Sequence, residues 1–379
     1  MAEYVLKKAR SILRKSKLTD SWFVSRYGMN LYRGCEHACA YCDGRAERYR
    51  VEGDFGRRVE VKENAPELLR RELARVKERG FVFLGGGVCD AYQPAEERHG
   101  LARRCLELVR DRGLPAHVLT KSVLVERDAD LLQEINEQAG AIVSMSVSSL
   151  DREHQRLFEP GCPAVEERLA CLARLRGRGL GVGVMLMPVL PLLSDSPAQL
   201  DAAARRFAEV GVDFVVPGGL TLKRDRQMDH MLAVLGRLDP ELVRRYRALY
   251  PAGDRWGNAR GDYYAGLEGR FARALLGHGL CPRIPHRLYR GRVERNVEVA
   301  MVLAHIHDLS RMRGQKKPAY ATASRRILEL GTRQDVSDLA DHGMLESLPG
   351  VGPGIARLIT ELLSTGRCER YEELIAGVD

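Results

Sequence analysis

Residues 34–42 read GCEHACAYC, which sets Cys35, Cys39 and Cys42 at C-x3-C-x2-C spacing with Tyr41 before the last thiol. Three thiolates this close can ligate three irons of a cubane [4Fe–4S] cluster and leave the fourth iron without a protein ligand. An open iron can chelate the amino and carboxylate groups of S-adenosylmethionine. Electron transfer from the cluster can then break the sulfonium bond and release a 5′-deoxyadenosyl radical. A fourth cysteine would close that position. The competing reading is a structural zinc site made of the three cysteines and His37. Such sites usually carry two ligand pairs separated by a longer loop, which this stretch does not.

A loop of this kind needs a scaffold that holds it at one end of a sheet. A strand is expected near 29–32, just before the cysteines, and a helix over 65–79 (PELLRRELARVKERG). Beyond them, FVFLGGG, PAHVLT, AIVSMSVS, GLGVGVMLMP and VDFVVP read as strands. They alternate with helices expected near 96–112, 127–138, 164–178 and 197–210. That alternation argues for right-handed crossovers and an α/β fold, a parallel sheet curled into a partial (β/α)6 barrel. Chemistry in such barrels sits on the loops after the strand C-termini, where the cysteines fall.

The 379 residues leave room for two or three domains. A hydrophobic content of 45% beside 29% charged residues excludes large-scale disorder. An excess of 60 Lys+Arg over 51 Asp+Glu, net +9, favours a polyanionic partner, nucleic acid above all. Nine cysteines and an N-terminus without an apolar signal core point to a reducing, cytoplasmic setting. The longest apolar stretch, 180–193, holds two prolines and is too short to span a bilayer, so no membrane partner is expected.

With these motifs the chain resembles the radical S-adenosylmethionine superfamily. Residues 1 to about 285 resemble its spore photoproduct lyase-like branch, through SILRKSKL, MNLYRGCEHACAYC, GGGVCDAYQPAE, LTKS, SMSVSS and LFEPG. The resemblance implies that Gly85, Gly86 and Gly87 cradle the methionine moiety, with Tyr41, Lys121, Ser146 and Ser148 as cofactor contacts and Glu159 near the site. It also implies a flavodoxin- or ferredoxin-type electron donor. Read alone, the glycines could serve close packing and Lys121 could be solvated. Glu96 is assigned to helix capping, and Asp90 is a candidate over the barrel mouth. The spore enzyme's hydrogen-donating cysteine aligns with Gly87, and its tyrosine after the last cluster cysteine aligns with Asp43. Cys89, two residues on, shares a strand face with that position and is a candidate donor, as is Cys162. Either could equally be a small core residue.

The C-terminal part has a different character. Residues 286–295 read as an Arg-rich linker or wrap, and helices follow from 296. LPGVGPGIA, at 348–356, reads as a helix-hairpin-helix whose glycines, Gly350, Gly352 and Gly354, let backbone amides meet a DNA phosphate. Residues 296–377 resemble the small DNA-binding domain of family X DNA polymerases. Leu358 and Gly354 stand where that family has lysines, which implies a binding module without lyase activity. Lys316, Lys317, Arg325, Arg326 and Arg357 are candidate phosphate partners, unless they are merely solvated.

The expected organisation is a radical domain over 1–285, with a basic segment 1–28, a barrel core 29–225 and a closing segment 226–285. The linker 286–295 and a DNA-binding domain over 296–379 follow. Together these features favour a DNA-directed radical enzyme, a photolesion repair lyase or a base modifier. The alternatives are a radical enzyme acting on a tRNA base and a non-catalytic Fe–S DNA-binding protein.

Overall fold

A computed structural model describes residues 2–86 and 88–376. Its strands are β1 (Glu3–Lys7), β2 (Leu13–Asp20), β3 (Ser25–Met29), β4 (Tyr32–Arg33), β5 (Arg58–Lys62), β6 (Phe81–Leu84), β7 (Ala116–Thr120), β8 (Ala141–Val147), β9 (Gly181–Val189) and β10 (Phe214–Gly219). The main sheet runs β10-β9-β8-β7-β6-β3-β2. It is parallel from β3 to β10, and β2 lies antiparallel on its edge. This is the expected α/β half-barrel.

The first barrel strand is Ser25–Met29, slightly upstream of 29–32. Tyr32–Arg33 pairs instead with β5 in a small sheet ordered β1-β5-β4. Residues 1–28 are thus built into both sheets. The alternating lysines and arginines of LRKSKLTD suit an edge strand, where charge discourages further pairing.

Between strands the helices fall close to expectation, at Ala129–Gln138, Val165–Gly177 and Pro197–Val210. Two differ. Gly100, at φ +59°, divides the helix expected near 96–112 into Ala95–His99 and Leu101–Asp111. The helix expected at 65–79 stops at Leu73, where Arg112 donates to the terminal carbonyl of Leu73 (3.2 Å) and to Val76 O just beyond it (2.8 Å).

Alternation along the strands sorts the core into two faces. Val82, Leu84, Val118, Val143, Met145, Val182 and Val184 pack with the crossover helices. Phe81, Ile142, Met185, Phe214 and Val216 join a second cluster with Tyr289, Val299, Met301, Leu303 and Ile306 of the C-terminal part. The helix Arg295–Met312 therefore closes the barrel's interior, and Val299–Leu303 are consecutively buried, as a helix surrounded by protein requires.

Residues 286–295, read as a basic linker or wrap, are packed against the barrel. Tyr289 is fully buried. Glu294 accepts from Arg79 N at 2.6 Å, Arg292 donates to Asn136 O at 2.9 Å, and Arg287 pairs with Asp213 at 2.7 Å. Arg79 and Asp213 lie in loops that enter strands, and Asn136 in the last turn of the helix that leads into β8, so the segment wraps the N-terminal end of the barrel, opposite the cysteine loop. Its arginines look like a linker's because their partners are distant in sequence. Among the described residues, no helix is long and apolar enough to cross a membrane.

Candidate active site

The cysteine loop is shaped by its backbone. Gly34 takes φ +82°, and a Cβ there would lie 2.2 Å from the Arg58 carbonyl oxygen. Ala38 N donates to Cys35 O (3.1 Å) and Cys42 N to Cys39 O (3.3 Å). Arg45 stacks on Phe55 at 4.9 Å and donates to the carbonyls of Cys39 (2.9 Å) and Ala38 (2.8 Å). Buried Gln93 holds the other flank, accepting from Glu36 N (2.9 Å) and donating to Gly34 O (3.1 Å). The DAYQPAE motif thus acts on the loop through its glutamine, which sequence reasoning missed.

A second brace comes from the EPG turn. Ala40 N donates to Phe158 O at 2.8 Å, and Gly161 N to His37 O at 3.1 Å. A Cβ on Gly161 would lie 2.2 Å from Glu36 O, so this close backbone contact requires glycine. Glu159 accepts from Tyr41, from Ser148 Oγ (3.0 Å) and from Arg168 Nη2 (2.6 Å). Burial pushes its carboxyl pKa up, but the Arg168 and Lys121 charges and the Tyr41 hydroxyl hold it at about 2. Arg168 is itself fully buried. Its position beside Val165, Leu169 and Leu172 on the apolar helix face was the available signal.

On the far side of the loop, Asp43 meets Lys223 Nζ at 2.5 Å and Thr221 Oγ1 at 3.1 Å. Gln227 Nε2 donates to Tyr41 O at 2.9 Å, and Arg226 to Val51 O at 2.8 Å. The RDRQMDH stretch at 224–230, read in sequence as part of the barrel-closing segment without residue roles, clamps the cysteine loop from the β10 side.

Between these braces lies a cavity of about 310 Å³, lined by Cys35, Cys39, Tyr41, Cys42, Gly86, Cys89, Asp90, Lys121 and Ser146 together with apolar Phe23, Phe83, Leu119 and Met187. Lys121 Nζ donates to Ser146 Oγ at 2.8 Å and lies 5.7 Å from the Tyr41 ring centre. Burial lowers its pKa, but Cys39, Glu159 and Cys162 outweigh that and keep it a cation. Cys89 donates to Asn30 Oδ1 at 3.2 Å, and burial pushes its thiol up to about 12.

Some expected contacts sit elsewhere. Ser148 and Glu159 lie behind Tyr41 and do not line the cavity. Gly85 is glycine for packing, since a Cβ would lie 2.8 Å from that of Leu119. Gly86 is the open one, with no neighbour nearer than 3.9 Å. Gly87 lies outside the described residues. Asp90 is saturated by Tyr92 N (2.8 Å), Thr120 Oγ1 (2.7 Å), Lys121 N (2.7 Å) and His37 Nδ1 (3.3 Å). Burial raises its pKa, but His37 and these donors hold it at about 2, so it is an orienting carboxylate. Glu96 is buried under Tyr32 (2.5 Å) and Arg127 (2.9 Å), a structural role as assigned.

Among the described residues no three His, Cys, Asp or Glu side chains converge on a single ion position. The three thiols line one cavity, and three thiolates on one loop are a donor set that suits a [4Fe–4S] cluster. The Radical SAM superfamily profile matches residues 29–204. An uncharacterized protein of Mycobacterium tuberculosis (strain ATCC 25618 / H37Rv) is 38% identical over 232 residues, 60% of this chain and 68% of that one. The chain carries a radical SAM domain over residues 29–204. Its cofactors are accordingly a [4Fe–4S] cluster and S-adenosylmethionine.

Another uncharacterized relative, from Methanocaldococcus jannaschii, is 29% identical over 194 residues, covering 51% of this chain and 70% of that one. Spore photoproduct lyase complexed with dinucleoside spore photoproduct superposes with a TM-score of 0.55 at 15% identity, covering 73% of this chain and 79% of that one. A variant of that enzyme with bound AdoMet and the dinucleoside gives 0.55 at 14% identity, with the same coverage. At such identity the likeness is one of fold.

The proposed DNA contacts lie in the helical layer. Gly350, at φ +89°, presses on Thr322, where a Cβ would come within 2.8 Å. Gly352 caps the helix Pro353–Thr365 and is exposed, as are Gly354, Arg357, Lys316 and Lys317.

Proposed function

We propose that the chain is a radical SAM enzyme acting on DNA, as a photolesion repair lyase or a base-modifying enzyme. The observation that carries this is the single cavity that gathers Cys35, Cys39, Cys42, Lys121, Ser146 and Cys89 at the strand C-termini. In this reading the three cysteines hold the cluster, and the bound cofactors supply a 5′-deoxyadenosyl radical. Lys121 offers a charge to the methionine carboxylate, held in place by Ser146. Tyr41 is fixed by Glu159, and the apolar lining keeps water from a reactive intermediate. Cys89 keeps its hydrogen at neutral pH, which suits a donor that returns a hydrogen atom to a product radical. The net charge of +9 and the exposed glycine-rich hairpin favour a polyanionic substrate.

The test is to measure 5′-deoxyadenosine from anaerobically reconstituted protein with dithionite and S-adenosylmethionine. Undamaged DNA, ultraviolet-irradiated DNA, tRNA and no nucleic acid would be compared. A rise with irradiated DNA identifies a photolesion enzyme, and a rise with undamaged DNA a base modifier. Stimulation by tRNA alone removes the DNA reading. No release from protein with a verified cluster removes the enzyme reading.

A further inference from the structure

Trp256 is 51% exposed, the bulkiest of the exposed large hydrophobic residues described. Its ring is flanked by two guanidinium groups, Arg255 at 4.7 Å and Arg48 at 5.6 Å from the ring centre. Arg48 also covers Tyr49 at 4.7 Å. Among the described residues neither Arg48 nor Arg255 has a carboxylate within ion-pair reach. The nearby Asp254 is engaged in its own turn, accepting from Trp256 N (2.7 Å) and Asn258 Nδ2 (3.0 Å).

This group is fixed to the rim of the cavity. Gly257 takes φ +71° and packs so tightly that a Cβ would lie 2.3 Å from the Leu222 carbonyl, while its own oxygen accepts from Leu222 N at 2.7 Å. Leu220 and Thr221, just before Leu222, line the cavity. Arg48 and Tyr49 follow the cysteine loop directly, and Glu47 N is tied to Asp225 at 2.9 Å. Meanwhile the helical layer that carries the hairpin is seated at the opposite end of the barrel. The mouth therefore needs its own means of holding a strand.

We propose that Trp256, with Arg48 and Arg255, is a stacking platform for single-stranded DNA beside the nucleotide that enters the cavity. This rests on the DNA reading above and deepens it. A planar aromatic face accepts any base, and stacking contributes about 1–3 kcal/mol per base. Each guanidinium displaced from the ring turns to a flanking phosphate, where its uncompensated charge is favourable.

The experiment is fluorescence anisotropy of a labelled single-stranded oligodeoxynucleotide with the full, cluster-loaded chain. Trp256→Ala should weaken binding about tenfold, and Trp256→Phe should keep most of it. An otherwise identical abasic oligonucleotide should lose affinity for the natural chain but not for Trp256→Ala. The Arg48→Ala/Arg255→Ala pair should flatten the salt dependence by about two. DNA binding that is indifferent to Trp256 overturns the platform and leaves the DNA reading standing. No DNA binding by the natural chain overturns both. Tighter, Trp256-dependent binding to the matching RNA overturns the assignment to DNA.

Discussion

The Sγ of Cys162 lies 3.8 Å from the Sγ of Cys39, a thiol of the cysteine triplet. The approach is fixed by backbone, because the EPG turn is hydrogen-bonded along the loop on both sides of Cys39. A small rotation of each side chain would bring the sulfurs to bonding distance. Oxidised glutathione added to cluster-free protein should therefore link the two. One protein thiolate displaces the first glutathione and the other displaces the second, so both protein sulfurs are oxidised and two glutathione thiols leave. Peptide mass mapping should find the linked pair. Cys162→Ser should instead keep one glutathione on Cys39, and finding no linked pair in the natural chain would refute the idea.

Gly161→Ala should impair cluster loading before it impairs folding. The added methyl meets the Glu36 carbonyl, so the EPG turn and the cysteine loop must separate. Iron content per chain should fall severalfold while far-ultraviolet circular dichroism stays unchanged. Full iron content in the variant would show that the loop tolerates displacement.

Arg168→Met takes away the ion-pair partner of buried Glu159, and breaking such pairs typically costs about 3–5 kcal/mol. Urea denaturation should show a loss of that order. Adding Glu159→Gln should recover part of it, since the charge is then gone as well. Additive losses would mean that the two side chains do not act as a pair.

Two buried histidines should make stability fall in mild acid. Burial pushes His117 and His305 down to about 4. His117 is held by Phe23 O at 3.0 Å and Ser144 Oγ at 2.8 Å, and His305 by Ser21 O at 2.9 Å. The unfolded chain binds these protons first, so their contribution is complete above about pH 6.5 and fades as pH falls toward 4. Each is worth up to about 3 kcal/mol. Denaturation midpoints between pH 7 and 4.5 should drop, and His117→Gln should flatten the slope.

The parts legible in sequence were those whose signal is local. The C-x3-C-x2-C spacing and the strand–helix alternation need no distant partner to be recognised, whereas Lys121 and Ser146 entered only through the family resemblance. Gln93, Arg168 and Gln227 were missed because each is polar where polarity usually means exposure, and each finds its partner across the fold. Glu159 and Ser148 were read from the resemblance as near the cofactor, and in the structure they hold Tyr41 from outside the cavity lining. Gly85 and Gly86 are identical in sequence and differ only in what their missing side chains would strike. The stretch at 286–295 left linker and wrap open in sequence, since its arginines mask the buried Tyr289 and Val293.

That wrap bears on cooperativity. Because the strand starts and the C-terminal helices share one apolar cluster, neither can melt without exposing the other. Calorimetry should record one transition, with matching van't Hoff and calorimetric enthalpies, in place of the two that tethered modules would give. A tail of this kind cannot be exchanged like a cassette, for the recipient barrel would have to be rebuilt from its floor.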